Sequence, residues 1–277
     1  EFLILDDGST DNSLEIVTRY ASKDSRIKFS HRKNKGLIAT LDELIELTQG
    51  QYIARMDCDD VCLKNRLQLQ VDHLNAQPAV EVVGGHYNLI DENSKPIGKE
   101  KVAIKEANIF LNLVYSVPFA HPSVMVRRSF YEKNKYSSVK SLGAVEDLAL
   151  WSKNYSEGLY SNLDNFIIDY RVYKNSFSFT KRLKMYHCTN QVGKLFLRKN
   201  KKRFIEVIRQ PKKLDRIKLT RALVFGAMYS DDVRSDCIKF IFKNKNLFFL
   251  FMIFLLRQWG RFLASHFYQL RYQLLTR

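Results

Sequence analysis

Phe2-Leu3-Ile4-Leu5-Asp6-Asp7-Gly8-Ser9-Thr10-Asp11 opens the chain and decides its fold class. Four apolar residues in unbroken succession, closed by Asp-Gly-Ser, form the pattern of a strand buried on both faces. Asp11 or Asn12 can then N-cap a helix, with Glu15 placed as in a capping box. Leu14, Val17, Tyr20 and Ala21 recur at helical spacing. Residues 27–30 read as a second strand, 37–47 as a helix stopped near Gly50, and 51–56 as a third strand. Strands and helices alternating at this pitch form βαβ units, so the expected architecture is α/β, a mostly parallel sheet flanked by helices.

Further along, residues 66–75 read as a helix closed by Pro78, and 80–83 and 86–90 as two strands. Residues 92–98 form a turn by composition. A helix is expected over 104–115, a short strand over 123–126, a helix carrying Trp151 over 145–154, and a last strand over 166–172. The chain opens already inside a strand, which leads us to expect an upstream strand–helix unit.

Charge divides the molecule. Residues 1–180 hold 22 Lys+Arg against 24 Asp+Glu, whereas residues 181–277 hold 23 against 5. The expected boundary lies after residue 178, separating a catalytic domain (1–178) from a basic helical region (179–277). A rear segment this basic approaches a polyanion, either an anionic membrane surface or nucleic acid. Nucleic acid is disfavoured, because the acidic runs of the front half repel phosphates and the tail lacks a recognisable set of interleaved stacking aromatics.

Within the tail, residues 247–256 are unbroken apolar sequence flanked by Lys243, Lys245, Arg257 and Arg261, with Trp259 following. The run is shorter than the roughly 20 residues a spanning helix needs. It suits a segment lying in a membrane interface, the favoured reading, with the core of a helical subdomain or a dimer contact as the alternative. Cys58, Cys62, Cys188 and Cys237 show no framework spacing and read as reduced thiols of a cytosolic protein.

Three acidic runs carry the chemistry. Asp57-Cys58-Asp59-Asp60 follows the third strand, and its two carboxylates one residue apart are hard donors suited to Mg²⁺ or Mn²⁺ held together with phosphate oxygens. Asp6-Asp7-Gly8-Ser9 follows the first strand, where a carboxylate can accept from a base N–H. Glu146-Asp147 begins a helix, where Asp147 can serve as a general base toward a hydroxyl. Each run taken alone is also accounted for by turn or helix-cap chemistry.

Together, and in this order, the runs resemble the family 2 glycosyltransferases. Shared segments include Asn34-Lys35-Gly36-Leu37, Gly50-Gln51-Tyr52-Ile53-Ala54-Arg55-Met56-Asp57, Arg66-Leu67-x-x-Gln70, Val83-Gly84-Gly85, His121-Pro122-Ser123 and Glu146-Asp147-Leu148. The resemblance implies a GT-A, Rossmann-like fold and an inverting, metal-dependent glycosyltransferase of hexosyl or N-acetylhexosaminyl type. The donor it implies is a nucleotide-sugar, a UDP-sugar by preference. The acceptor is then a lipid-linked or growing surface glycan, and the site lies in the cytoplasm, peripheral on the inner face of the membrane.

By the same resemblance Asp7 contacts the base, Asp57 the ribose or the metal, and Asp59 the metal, which is Mn²⁺ or Mg²⁺. Arg55 and Arg66 are diphosphate or structural partners, and Asp147 is the base. Glu146 and His121 are possible acceptor or diphosphate contacts. Tyr170-Arg171-Val172-Tyr173 resembles a late Tyr-Arg-x-His segment, with Tyr173 in place of the His. The competing expectation is a non-catalytic nucleotide-sugar or glycan-binding remnant of such an enzyme.

Overall fold

The computed structural model describes residues 1–173 and 180–244. They divide into two compact units, the first ending at Gly193 and the second beginning at Lys194. The first unit extends past the expected boundary at 178, because the opening turns of the helix Arg182–Lys199 bring Met185 and Thr189 to line its cleft.

The α/β class stands. The opening run forms β1 (Phe2–Asp6), α1 (Ser13–Ala21), β2 (Ile27–His31), α2 (Leu37–Leu47), β3 (Tyr52–Ala54) and α3 (Arg66–Ala76), with a two-residue β4 (Val61–Cys62) before α3. Then follow β5 (Val82–Ile90), β6 (Pro96–Glu100), α4 (Glu106–Asn112), β7 (Met125–Arg127), α5 (Arg128–Lys133), α6 (Glu146–Lys153) and β8 (Tyr160–Arg171). Helices α7 (Arg182–Lys199), α8 (Lys201–Ile208), α9 (Arg216–Tyr229) and α10 (Arg234–Lys243) complete the described chain.

The sheet corrects one expectation. It is mixed rather than mostly parallel. Strands β1 and β2 pair in parallel as a separate two-stranded sheet. The larger sheet runs β3-β7-β5-β8-β4, with β6 beside β5. Only β5 and β8 are parallel in it; β3–β7, β5–β7, β5–β6 and β4–β8 are antiparallel. The cause lies in the connections. A short turn at Asp91–Lys95 folds β6 straight back on β5, which a parallel crossover cannot do.

The two expected strands at 80–83 and 86–90 are one strand, β5. Gly84 and Gly85 do not break it; they let it pass neighbouring groups closely. A Cβ on Gly84 would lie 2.6 Å from Asn162 Oδ1 and 2.8 Å from Phe119 Cδ1. Leu74, Val80, Val83, Met125, Leu163 and Ile167 pack as one apolar cluster between α3 and the sheet. On the other side, fully buried Trp151 of α6 meets Phe119, Phe130 and Tyr160 at ring-centroid distances of 5.8, 5.8 and 6.1 Å. These two layers fix the sheet and the start of α6 relative to each other.

An apolar groove of about 480 Å³ runs past β1 and β3, lined by Phe2, Leu3, Leu41, Ile53 and Ala54. Among the described residues β1 pairs only with β2, and β3 only with β7.

In the second unit, α9 is the buried helix, with Leu219, Leu223, Val224 and Phe225 inside it. Asp215 caps its start, accepting from the Lys218 amide at 2.9 Å. Among the described residues no helix is long and apolar enough to cross a membrane. The apolar run 247–256 and Trp259 lie outside the described residues.

Candidate active site

Four chain segments bring the charged residues of one cleft of about 570 Å³ together. They are the loop after β3, the turn before β7, the start of α6 and the end of β8. They bring Arg55, Asp57, Asp59, Asp60, His121, Glu146, Asp147, Arg171 and Tyr173 to its walls.

The loop after β3 presents its carboxylates together. One oxygen from each of Asp57, Asp59 and Asp60 lies within 4.8 Å of the others. The sequence pattern alone gives Asp60 no role. Its Oδ1 accepts from the Arg171 amide at 2.8 Å, while Oδ2 is buried without a hydrogen-bond partner. Burial, with the neighbouring charges of Asp59 and Asp57, pushes its carboxyl up to about 6 against the pull of the Arg171 amide. A clustered set of hard oxygens, one of them buried and unsatisfied, fits a small divalent cation.

Arg55 closes the other side of the loop. Its Nη1 and Nη2 hold the two oxygens of Asp57 at 2.7 and 2.6 Å. Backbone pairing sets the approach, since the Arg55 amide donates to Val124 O at 3.0 Å next to β7.

Glu146 and Asp147 form the first turn of α6. Asp147 Oδ1 accepts from the Leu148 amide at 2.7 Å. Burial raises the proton affinity of Asp147, and the Leu148 amide and Arg55 only partly offset it. Burial and the adjacent charge of Asp147 push Glu146 up to about 7. His121 Nδ1 lies 3.8 Å from Glu146, and its Nε2 shares a hydrogen bond of 2.7 Å with the Tyr136 hydroxyl. Burial first, and then Arg55, hold His121 well below its ordinary value, so its ring is neutral. Tyr136 is itself held by α2, because Asp42 accepts from the amides of Tyr136 and Ser137 at 2.8 and 2.9 Å.

Just past β8, burial and the neighbouring Asp59 charge hold the Tyr173 hydroxyl above the ordinary phenol value. The Arg171 guanidinium donates to Asp59 O at 2.7 Å. Neither contact was legible in the sequence, where the only signal was the Tyr-Arg-x-His-like segment.

Two expected site residues stand elsewhere. Arg66 does not line the cleft. It is 1% exposed, and its donors are committed to Gln70 Oε1, Met56 Sδ, Arg55 O and Val124 O. It anchors the backbone that presents Arg55. Asp7 does not line the cleft either. Its carboxylate accepts from the Lys35 and Gly36 amides at 2.9 and 2.8 Å and pairs with Arg32. Burial raises its proton affinity, but those hydrogen bonds outweigh it and hold the group below the usual range. Asp7 thereby fixes the corner at Gly36, whose φ of +88° suits glycine, and the next residue, Leu37, reaches the cleft wall.

The clustered carboxylates and the raised acid at the start of α6 thus stand in one crevice at strand ends, where open α/β sheets bind their ligands. The family model "Glycosyl transferase family 2" matches residues 1–134. The putative glycosyltransferase EpsE of Bacillus subtilis is 34% identical over 196 residues, covering 69% of each chain. An uncharacterized glycosyltransferase of Rickettsia conorii is 30% identical over 174 residues, which are 62% of this chain and 28% of that one.

Among solved structures, Staphylococcus aureus TarS 1–349 with UDP-GlcNAc is 16% identical. It aligns over 83% of this chain and 72% of its own with a TM-score of 0.48. Pyrobaculum calidifontis mannosyltransferase PcManGT with GDP-Man and Mn²⁺ is 13% identical, over 91% and 74%, with a TM-score of 0.46. The chain belongs to the family 2 glycosyltransferases, and its mixed sheet flanked by helices is of the GT-A kind.

Proposed function

We propose that this cleft transfers a sugar from a nucleotide-sugar, a UDP-sugar by preference, to a hydroxyl with inversion at the anomeric carbon. The observation that carries the reading is the arrangement of Asp147 in one cleft with the Asp57, Asp59 and Asp60 cluster. Asp147 takes the proton of the acceptor hydroxyl as that oxygen attacks. Its raised proton affinity places it nearer neutrality, which favours general-base work. Asp59 and Asp60, with Asp57, hold Mn²⁺ or Mg²⁺. When bound, the cation neutralises charge on the departing diphosphate. Arg55 keeps Asp57 oriented, and neutral His121 and Glu146 line the acceptor side. A single displacement needs no covalent nucleophile.

The acceptor in this reading is a lipid-linked or growing surface glycan, hexosyl- or N-acetylhexosaminyl transfer being the reaction type. Its support is the basic rear of the chain, 23 Lys+Arg against 5 Asp+Glu over residues 181–277, which suits the anionic inner face of a membrane. The division of labour is then a catalytic front and a membrane-associating rear.

The test is turnover of UDP-sugars by the full chain with Mn²⁺ and membrane lipid acceptors. Asp147→Asn should lower transfer about 10³-fold while nucleotide binding persists. Wild-type turnover in that variant removes Asp147 from the mechanism. Metal-dependent nucleotide-sugar binding by the wild type with no transfer to any acceptor supports the non-catalytic remnant instead.

A further inference from the structure

We infer that Arg171 is a positioning residue for the divalent-cation site, presetting the carboxylate loop by clamping it to the β5–β6 turn. The inference rests on the metal-dependent reading of the cleft given above. Arg171 ends β8 and touches the loop twice. Its amide donates to Asp60 Oδ1 at 2.8 Å, and its Nε donates to Asp59 O at 2.7 Å. The first contact decides which oxygen of Asp60 stays free, namely the buried Oδ2. The second fixes the peptide that carries the Asp59 side chain.

The far end of the same guanidinium is seated in a receptacle about eighty residues away in sequence. Nη1 donates to Asp91 O at 2.8 Å, Glu92 O at 3.2 Å and Ser94 Oγ at 3.0 Å. The turn is shaped to present those acceptors. Asp91 Oδ1 collects the amides of Asn93 and Lys95, both at 2.9 Å, and Ser94 sits at a φ of +64°, uncommon for a residue other than glycine.

All four guanidinium acceptors are neutral oxygens, and among the described residues no carboxylate pairs with Arg171. A planar fork can span two rigid pieces of backbone in this way, whereas a lysine ammonium offers one point. Its function is therefore to hold Asp59 and Asp60 in a spacing that a cation can use without first ordering the loop. Preorganised ligands bind more tightly than ligands that must be ordered on binding.

The experiment is Mn²⁺ titration of the full chain without nucleotide, followed by electron paramagnetic resonance of the free ion. Each variant is measured below its own melting temperature. Arg171→Met and Arg171→Lys should each bind Mn²⁺ at least fivefold more weakly than wild type, the lysine failing despite its charge. Asp60→Asn, which removes a ligand, should lose at least as much. A loss under fivefold in the arginine variants, with a lowered melting temperature alone, makes Arg171 a structural pin and overturns the inference. Should Arg171→Met not fold, Arg171→Lys decides by the same threshold. A wild type that binds no Mn²⁺ overturns the metal reading itself, and this inference with it.

Discussion

Arg55 and Asp57, two residues apart at the end of β3, face each other as a closed two-point ion pair at 2.7 and 2.6 Å. The same guanidinium restrains the proton affinities of Asp147, Glu146 and Asp60 and depresses that of His121. One guanidinium thus joins the carboxylate loop after β3 to the start of α6. Arg55→Met removes it. As the proposed base, Asp147 must be ionised to act, so the acid limb of the kcat/KM profile should move to higher pH. A profile that does not move would separate Arg55 from the base.

Asp60 competes for protons and metal with the same oxygens. Its carboxyl is pushed up to about 6, so Mn²⁺ affinity should be full at pH 7.5 and fall by roughly tenfold per unit once pH drops below 6. Isothermal titration across pH 5 to 8 checks this. Asp60→Asn should flatten the pH dependence as well as weaken binding.

Burial penalises the charged form of Glu146, and that should be visible as a cost in stability at pH values where it ionises. Its folded value of about 7 lies above the ordinary carboxyl value, so its contribution is fully present below about pH 4 and lost as pH rises through 7. Glu146→Gln should therefore melt a few degrees above wild type at pH 8 and show no such gain at pH 4.5. Thermal unfolding at the two pH values measures the difference, and equal shifts at both would contradict it.

Gly84 tests the packing under the site. An added methyl would meet Asn162 Oδ1 and the Phe119 ring inside van der Waals distance, and both neighbours are buried. Asn162 donates to Ala103 O and Pro118 O at 2.8 and 3.1 Å, so it cannot swing away. Gly84→Ala should destabilise by about 1–3 kcal/mol in urea unfolding. It should also disturb His121, which follows closely after Phe119 in the same wall.

Much of this site could be read in advance because its parts are local. Asp57, Asp59 and Asp60 stand at the end of an apolar strand, and Glu146 and Asp147 at the start of a periodic helix, so short-range pattern sufficed. Asp7 looked similar in sequence yet serves its own corner, because Arg32, Lys35 and Gly36 reach it first. That competition depends on where β2 ends relative to β1, which pattern does not encode.

Sheet direction was missed for a related reason. The alternation of strands and helices over residues 2–56 is that of βαβ units, but β6 folds back from a short turn and β7 arrives after α4, and both run antiparallel to β5. The paired glycines of β5 read as a break, since their need to pass Asn162, Phe119 and Ile167 is a long-range fact. Arg171 was the least legible residue of all. Its acceptors lie about eighty and one hundred and ten positions away, and nothing in Tyr-Arg-Val-Tyr announces them.

The cleft carries five carboxyl groups, while its two guanidinium groups, Arg55 and Arg171, are already engaged. A bare diphosphate arriving there would meet repulsion of like charge and, among the described residues that line the cleft, no free guanidinium. Order of arrival follows from that imbalance. On the metal-dependent reading proposed above, a cation bound first offsets that imbalance, so initial-rate kinetics should show an ordered sequence with the ion adding before the donor, and excess chelator should act on that first step rather than on catalysis.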